Sequence, residues 1–435
     1  MTTAEPTAGP TADTASATPA VHRAESAEKR RQRYSAGVLI ILAGTLLLFF
    51  LLSTEGRARF ALSNAFDAVQ LPTLEIPGFV TVAICGVLCV AAGVGYLVRL
   101  PGRLPALAAT VGGLTFVIGF LAWAASGRDL PFPVSNQLAG TFTVATPLIF
   151  GALCGVLCER AGVVNVSIEG QFLVAAFAAA IVGSLTDSVP AALFAAMIGG
   201  VGMAALLALF AIRYLVNQVV LGVVLNLLAV GVTGFLFDQL VEPASAQFNS
   251  APVLERIAIP GLSTIPFFGP VLFEQTILAY LAGLAVPVVW FLLFKTGWGL
   301  RIRAVGEHPK AADTVGVSVI GIRWSAVLTG GVFAGLGGAF FTLSATGAFS
   351  KEFTVGNGFI ALAALIMGRW HPGWAAVMAL FFGFVTQMAS QMQSLSTPVP
   401  SQFLLILPYL ATIIAVAGLV GRVRAPAADG IPYEK

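Results

Sequence analysis

The sequence predicts an all-α, polytopic membrane protein of about ten to twelve transmembrane helices, some of them broken or re-entrant. Three observations carry that expectation. Of 435 residues, 57% are hydrophobic and only 10% charged, against roughly 25% charged residues in an ordinary soluble domain. Runs at 36–53, 79–98, 104–125, 216–237 and 276–294 approach or exceed the roughly 18 apolar residues that a helix needs to cross hydrocarbon. Backbone groups in lipid must be satisfied internally, and no alternating polar and apolar pattern is visible, so helices are expected rather than a barrel.

Taken in order, the first 20 residues are rich in Thr, Ala and Pro and read as a disordered tail, which extends to about position 35 through the charged stretch 24–33. They lack the charged start and immediate apolar core of a secretory signal. Spans follow near 36–53, 79–98 and 104–125, an additional N-terminal portion within 36–137. Nine more are placed near 138–158, 163–185, 190–212, 216–237, 276–294, 324–345, 355–368, 373–391 and 403–420, with a tail at 421–435. The span at 163 carries a polar string, and the one at 355 has only 14 residues, below crossing length, so either reads as a broken or re-entrant helix.

Basic residues set the orientation, because short loops rich in Lys and Arg stay in the cytoplasm. With the N-terminus inside, 18 of the 23 Lys and Arg residues fall on the cytoplasmic side, and both termini are expected there. These loops also explain the net charge of +3, which gives no reason to expect nucleic-acid binding. Cys85/Cys89 and Cys154/Cys158 each lie one turn apart in an apolar helix. With only three His in the chain and none in those spans, they read as packing residues; no metal and no cofactor is expected. Gly151 and Gly155, and Gly330, Gly331, Gly335, Gly337 and Gly338, form small-residue faces suited to close helix approach. The connection 238–275 is broken by several prolines but contains apolar pieces suited to a membrane face or a docking partner, with ordinary loop packing as the other reading.

Two segments depart from the apolar background. ERAGVVNVSIEG, at 159–170, keeps several polar groups together at membrane depth, where they are costly and commonly line a substrate path. GWGLRIRAVGEHPKAADTVGVSVIGIRW, at 297–324, is too long for a turn, and PKAADTV within it reads as a short helix with Pro309 at its first position and Gly316 as its stop. A compact helix held between two spans can transmit a push from a soluble partner; a surface helix with a solvated charged face is the plain alternative.

KAADTVG, at 310–316, resembles the cytoplasmic loop of ATP-binding-cassette importer permeases, with Lys310 where that loop often carries Glu and Ala311, Ala312 and Gly316 at matching positions. Together with RAVGEHPKAADTVGV, GVVNVSIEGQFLVAAF and GNGFIALAALIMGRWHPGWAA, it makes residues 138–420 similar to a permease of the branched-chain amino acid, simple sugar and nucleoside group, nearest its nucleoside type. The resemblance implies a bacterial inner-membrane importer. In it two permease subunits, identical or different, form the path, cytoplasmic ABC ATPase subunits drive it, and an extracytoplasmic substrate-binding lipoprotein delivers substrate. The permease itself would catalyse nothing, which agrees with the lack of any GxxxxGK[ST] phosphate loop in the chain.

On that resemblance the coupling loop is 297–323, with Glu307, His308, Pro309, Lys310, Ala311, Ala312, Asp313 and Gly316 as the ATPase-coupling positions. The polar residues at depth are the path candidates: Asn165, Ser167, Glu169, Gln171, Asn217, Gln218, Asn226 and Asn357. Phe172, Phe177 and Phe359 supply apolar faces for a base. For Glu169 a structural role, capping the helix that follows Gly170, competes with a role on the path. Simple sugars or branched-chain amino acids are the alternative cargoes, and an ion-gradient-driven secondary transporter is the alternative class. No Asp/His proton relay accompanies Glu169 to support that last reading.

Overall fold

The computed structural model describes residues 27–64, 67, 69–98, 104–395, 406, 409 and 424–434. Of the disordered tail expected at 1–35, residues 1–26 lie outside the described residues and 27–35 are helical instead, continuous with the first span; the span at 403–420 also lies outside them apart from Ile406 and Tyr409. Among the described residues ten helices are long and apolar enough to cross a membrane, with one shorter apolar helix.

The first three, α1 (Ala27–Phe50), α2 (Gly78–Leu97) and α3 (Leu104–Ala125), pack side by side. α1 begins earlier than the first predicted span, taking in the basic prelude. Two short sheets form outside the spans, in segments that the sequence pattern leaves as loops. In one, β1 (Arg57–Ala61) pairs antiparallel with β2 (Leu74–Pro77) and parallel with β3 (Phe132–Pro133). In the other, β4 (Arg256–Ala258) pairs with β5 (Glu274–Thr276) inside the proline-rich connection, beside the short helices α8 (Ser245–Phe248) and α9 (Phe268–Leu272). The Phe50 and Trp123 rings stack at 4.1 Å, in a cluster that joins the N-terminal helices to Ala389 and Met392 of α15 (Pro372–Ser394).

The larger core comprises α4 (Val134–Arg160), α5 (Ile168–Thr186), α6 (Val189–Ala208), α7 (Gln218–Leu236), α10 (Ile277–Lys295), α13 (Val319–Phe340), α14 (Asn357–Met367) and α15. α11 (Gly297–Glu307) and α12 (Pro309–Thr314) connect α10 to α13 at the end of the bundle that holds Arg160, Arg323 and Arg369, called here the basic end. π-helical turns prolong α6, α7 and α13.

α13 is the spine. It packs on α4, α5 and α6 at once, and its glycines make that approach feasible. A Cβ on Gly335 would lie 2.5 Å from Met197 Cα, and one on Gly338 would lie 2.4 Å from the Phe172 carbonyl oxygen. In lipid, where apolar burial does not favour helix contact over lipid contact, such small-residue faces let dispersion hold helices together. Gly331→Val, whose added carbon meets Ala204 Cβ at 2.6 Å, is expected to wedge α13 from α6 at a cost of about 1–3 kcal/mol. A melting curve in detergent should show a lower midpoint than for Gly283→Val, where the added carbon meets open space; equal midpoints would contradict this packing.

Candidate functional site

α4 ends at Arg160, and residues 161–167 are not helical; α5 starts only at Ile168. The discontinuity expected around 163–170 is therefore a stretch of irregular backbone that doubles back beside the last turns of α4. Ile168 Cγ2 lies 3.2 Å from a Cβ position on Gly151, more than two turns before the end of α4. Irregular backbone at this depth is stable only if the protein itself satisfies its polar groups. Here neighbouring helices and the stretch's own Asn165 do so. Gln218 Oε1 accepts from the Val164 N–H at 2.7 Å, Asn165 Oδ1 from the Ser167 N–H at 3.1 Å, and Asn226 Oδ1 from the Gly170 N–H at 2.8 Å. Asn226 Nδ2 donates to the Val166 carbonyl at 3.0 Å, and Arg323 Nε to the Ala161 carbonyl at 3.2 Å.

Several predicted path residues are thereby committed to structure. Asn165, Ser167 and Gln171 are fully buried and bond one another, with the Asn165 amide also against the Cys154 and Cys158 thiols. Phe172 is equally buried, filling the space left by Gly151 and Gly337 and packing on Phe341. Asn217 lies outside the knot as the cap of α7, its side chain accepting from Val219 and Val220 N–H at 3.1 Å each. Phe177 packs edge-on against Phe349. Asn357 Nδ2 donates to the Thr354 carbonyl at 2.8 Å, closing the turn before α14.

Glu169 does something else. It sits in the first turn of α5, but its carboxylate does not cap that helix; it caps α14. Oε1 accepts from the Thr354 hydroxyl at 2.5 Å and the Gly356 N–H at 2.8 Å, while Oε2 accepts from the Gly358 N–H at 2.6 Å. The starts of α5 and α14 thus face each other across one carboxylate, which offsets the positive ends of both helices. Only glycine fits at 358, since a Cβ there would be 2.4 Å from the Glu169 backbone nitrogen. Gly358 lies nine residues before Met367, so this meeting point is roughly 14 Å inward from the basic end at the usual helical rise. The loop before α14 is strained: Glu352 and Val355 have φ of 54° and 46°, and a β-branched residue in the left-handed region costs on the order of 1–3 kcal/mol.

A cleft of about 460 Å³ opens beside this junction, lined by Glu169, Asn226, Leu227, Glu352, Thr354, Phe359 and Tyr409 among others. Its volume suits a small organic ligand. Of the predicted path residues it gathers Glu169, Asn226 and Phe359, and it adds Glu352, Thr354 and Tyr409, which residue type and depth alone did not single out. At the basic end, α12 starts at Pro309 and Gly316 follows it with φ of 83°, as the sequence predicts. Glu307, His308, Lys310, Ala311 and Gly316 are exposed, with Pro309 and Asp313 half-buried, and Val315 is 77% exposed. Ala312 is buried among Val305, Val319 and Tyr433, because one face of so short a helix must anchor it.

Residues 137–417 match the family described as the permease component of branched-chain amino acid transport systems. The chain is 39% identical over 316 residues to a guanosine ABC transporter permease protein of Bacillus subtilis (strain 168), covering 71% of this chain and 99% of that relative. It is 39% identical over 313 residues to a nucleoside ABC transporter permease protein of Lactococcus lactis subsp. cremoris, with 68% and 96% covered. A putative glucose ABC transporter permease protein of Haloferax volcanii is 37% identical over 264 residues, with 60% and 79% covered. No solved structure matches.

Removing the Glu169 carboxylate with Glu169→Ala strands the buried Gly358 N–H, at about 1–3 kcal/mol, and the half-buried Gly356 N–H. Deuterium uptake over 352–360 is expected to rise, with Glu169→Gln intermediate because one acceptor oxygen remains. Exchange in Glu169→Ala that matches the unaltered chain would show that the carboxylate does not hold the α14 start.

Proposed function

The chain belongs to the family of branched-chain amino acid transport system permease components, a multi-pass protein of the cell membrane, and from that premise we propose that it forms part of the path of an ATP-driven nucleoside importer. The observation that carries the reading is the Glu169 junction beside the cleft. Paired discontinuous helices that meet at mid-depth are where transporters place substrate sites, because half-helix ends and unwound backbone supply polar groups away from either surface.

The cleft's chemistry favours a neutral, polyhydroxylated cargo. Among the described residues its lining includes two carboxylates, Glu169 and Glu352, and no Lys or Arg, so these residues offer no cation to the carboxylate of a branched-chain amino acid. Ribose hydroxyls can donate to Glu352 and Thr354 can bond either way. Phe359 and Tyr409 offer aromatic faces to a base. Nucleoside relatives at 39% identity support this choice. A simple sugar is the second reading, supported by the glucose permease relative. The ion-gradient alternative does not survive the family membership.

On this proposal the basic end is cytoplasmic, with both termini on that side, and the exposed face of α12 seats in a cytoplasmic ATPase. A second permease, identical or different, closes the open side of the cleft along α7, where Val219, Val223, Leu227 and Val230 form an exposed apolar row. An extracytoplasmic binding lipoprotein delivers cargo at the end carrying β4 and β5. Catalysis lies wholly with the ATPase, and permease states alternate because that partner contacts them unequally.

In vesicles holding the assembled system, labelled guanosine uptake is expected to require ATP and to be competed by unlabelled nucleosides but not by leucine. Competition by glucose alone would move the assignment to a sugar. Tyr409→Ala and Phe359→Ala are each expected to raise the half-saturation concentration about ten-fold, in keeping with a stacking contribution of about 1–3 kcal/mol per base. Unchanged values in both would remove the cleft from the path. Val315→Asp is expected to abolish co-purification of the ATPase while leaving the fold's melting midpoint in place; normal co-purification would place the contact elsewhere.

A further inference from the structure

Residues 424–434 lie beyond the family-matched region 137–417, yet Pro426, Ala428 and Tyr433 among them are buried against the bundle. The Ala428 N–H donates to the Gly306 carbonyl at 2.9 Å, at the end of α11. Tyr433 fits into the small apolar cluster formed by Val305, Ala312 and Val319, and its hydroxyl bonds the Asp313 side chain on α12. On the other side the segment touches the irregular backbone after α4. Gly430 is within reach of Val164, and a Cβ on Gly162 would lie 2.9 Å from the Ala428 carbonyl oxygen. Gly162 has φ of 85°, so glycine is required there on both counts.

Arg323 ties the two contacts together. Its guanidinium is buried at 1% exposure, donating through Nε to the Ala161 carbonyl at 3.2 Å and through Nη1 to the Ile431 carbonyl at 3.1 Å. Beside it, burial pushes the Asp429 carboxyl up to about 7 against the pull of Arg323, so the segment gives up carboxylate hydration to sit there. One continuous route therefore runs from α12 through Tyr433 and Ile431 to Arg323 and the 161–167 backbone, whose far end is the Glu169 junction. α11 makes a shorter contact of its own, since a Cβ on Gly306 would abut the Arg160 carbonyl and lie 3.4 Å from the Gly162 nitrogen; that contact reaches only the first residues of the irregular stretch, whereas the 424–434 segment also reaches Val164 through Gly430.

We propose that residues 424–434 are a mechanical strap that carries displacement of α12 to the discontinuity before α5, with Tyr433 and Arg323 as positioning residues of the transport cycle. The inference rests on the ATP-driven reading but is indifferent to the cargo. A two-state element biased from one end is the physical requirement for such coupling, and 161–167 qualifies: beyond its bonds to α4 carbonyls, its backbone is held by side chains, Gln218 and Asn226 of α7 and Arg323 of α13, whose hydrogen bonds can be exchanged without unfolding either helix.

Two measurements on the full chain test it, with variants lacking residues 424–435, Tyr433→Ala and Tyr433→Phe. In the permease alone, needing neither substrate nor partner, deuterium uptake over 161–167 is expected to rise in the first two variants and to return toward the unaltered value in Tyr433→Phe, which keeps the apolar seat. In vesicles with the ATPase, hydrolysis is expected to continue while substrate moved per ATP falls about five-fold, within the range by which such residues modulate coupling. Unchanged exchange over 161–167 overturns the strap, and so does raised exchange with an unchanged transport ratio. Lack of uptake in the unaltered chain would instead overturn the importer reading, and the exchange measurement would still decide the strap.

Discussion

Two helices that begin inside a bilayer present eight N–H groups with no helical partner, and hydrocarbon offers no solvent to supply one. The Glu169 carboxylate and the side chains around it answer that constraint, and the placement of the central helices depends on them. Glu169 takes Thr354, Gly356 and Gly358 at the start of α14, while Asn226 and Asn165 take Gly170 and Ser167 at the start of α5. Because the capping group of one helix belongs to the other, neither start can move independently. A displacement of α14 must either carry α5 with it or break charge-assisted hydrogen bonds in a low-dielectric setting, where they are strong.

That junction sits on a frame chosen for close approach. α13 holds α4, α5 and α6 through glycine contacts, so the segments around the junction are firm while the junction itself, with Glu352 and Val355 in left-handed backbone, is strained. Strain next to a rigid frame is the arrangement expected of a site with two discrete states. The cleft lies on the strained side, open along α7, while the polar knot of Asn165, Ser167 and Gln171 lies on the firm side, closed to solvent.

Much of this was legible in the linear chain. The boundaries of α3 coincide with the apolar run 104–125, and α12 begins at Pro309 and is followed by a left-handed Gly316, as capping chemistry requires. The irregular stretch before α5 and the short α14 were both visible as interruptions of apolar sequence. What the chain could not tell was direction. Asn165 and Asn226 have the same side chain at similar depth, yet one faces the thiols of α4 and the other bridges α5 and the cleft wall. Short strands escaped as well, because two- to five-residue segments carry too few alternations to stand out from turns.

By itself the sequence determined that this chain spans a membrane with helices, where those helices break, and which polar residues lie deep. Those properties follow from hydrophobic length and from the cost of burying polar groups, both of which are sums over neighbours in the chain. Only the tertiary structure decided that Glu169 serves α14, that Thr354, Glu352 and Tyr409 join it in one cleft, and that Tyr433 lies against α12. Those pairings join residues far apart in the chain, 189 positions for Glu169 and Gly358 and more for Glu169 and Tyr409; packing sets them, and no local pattern records them.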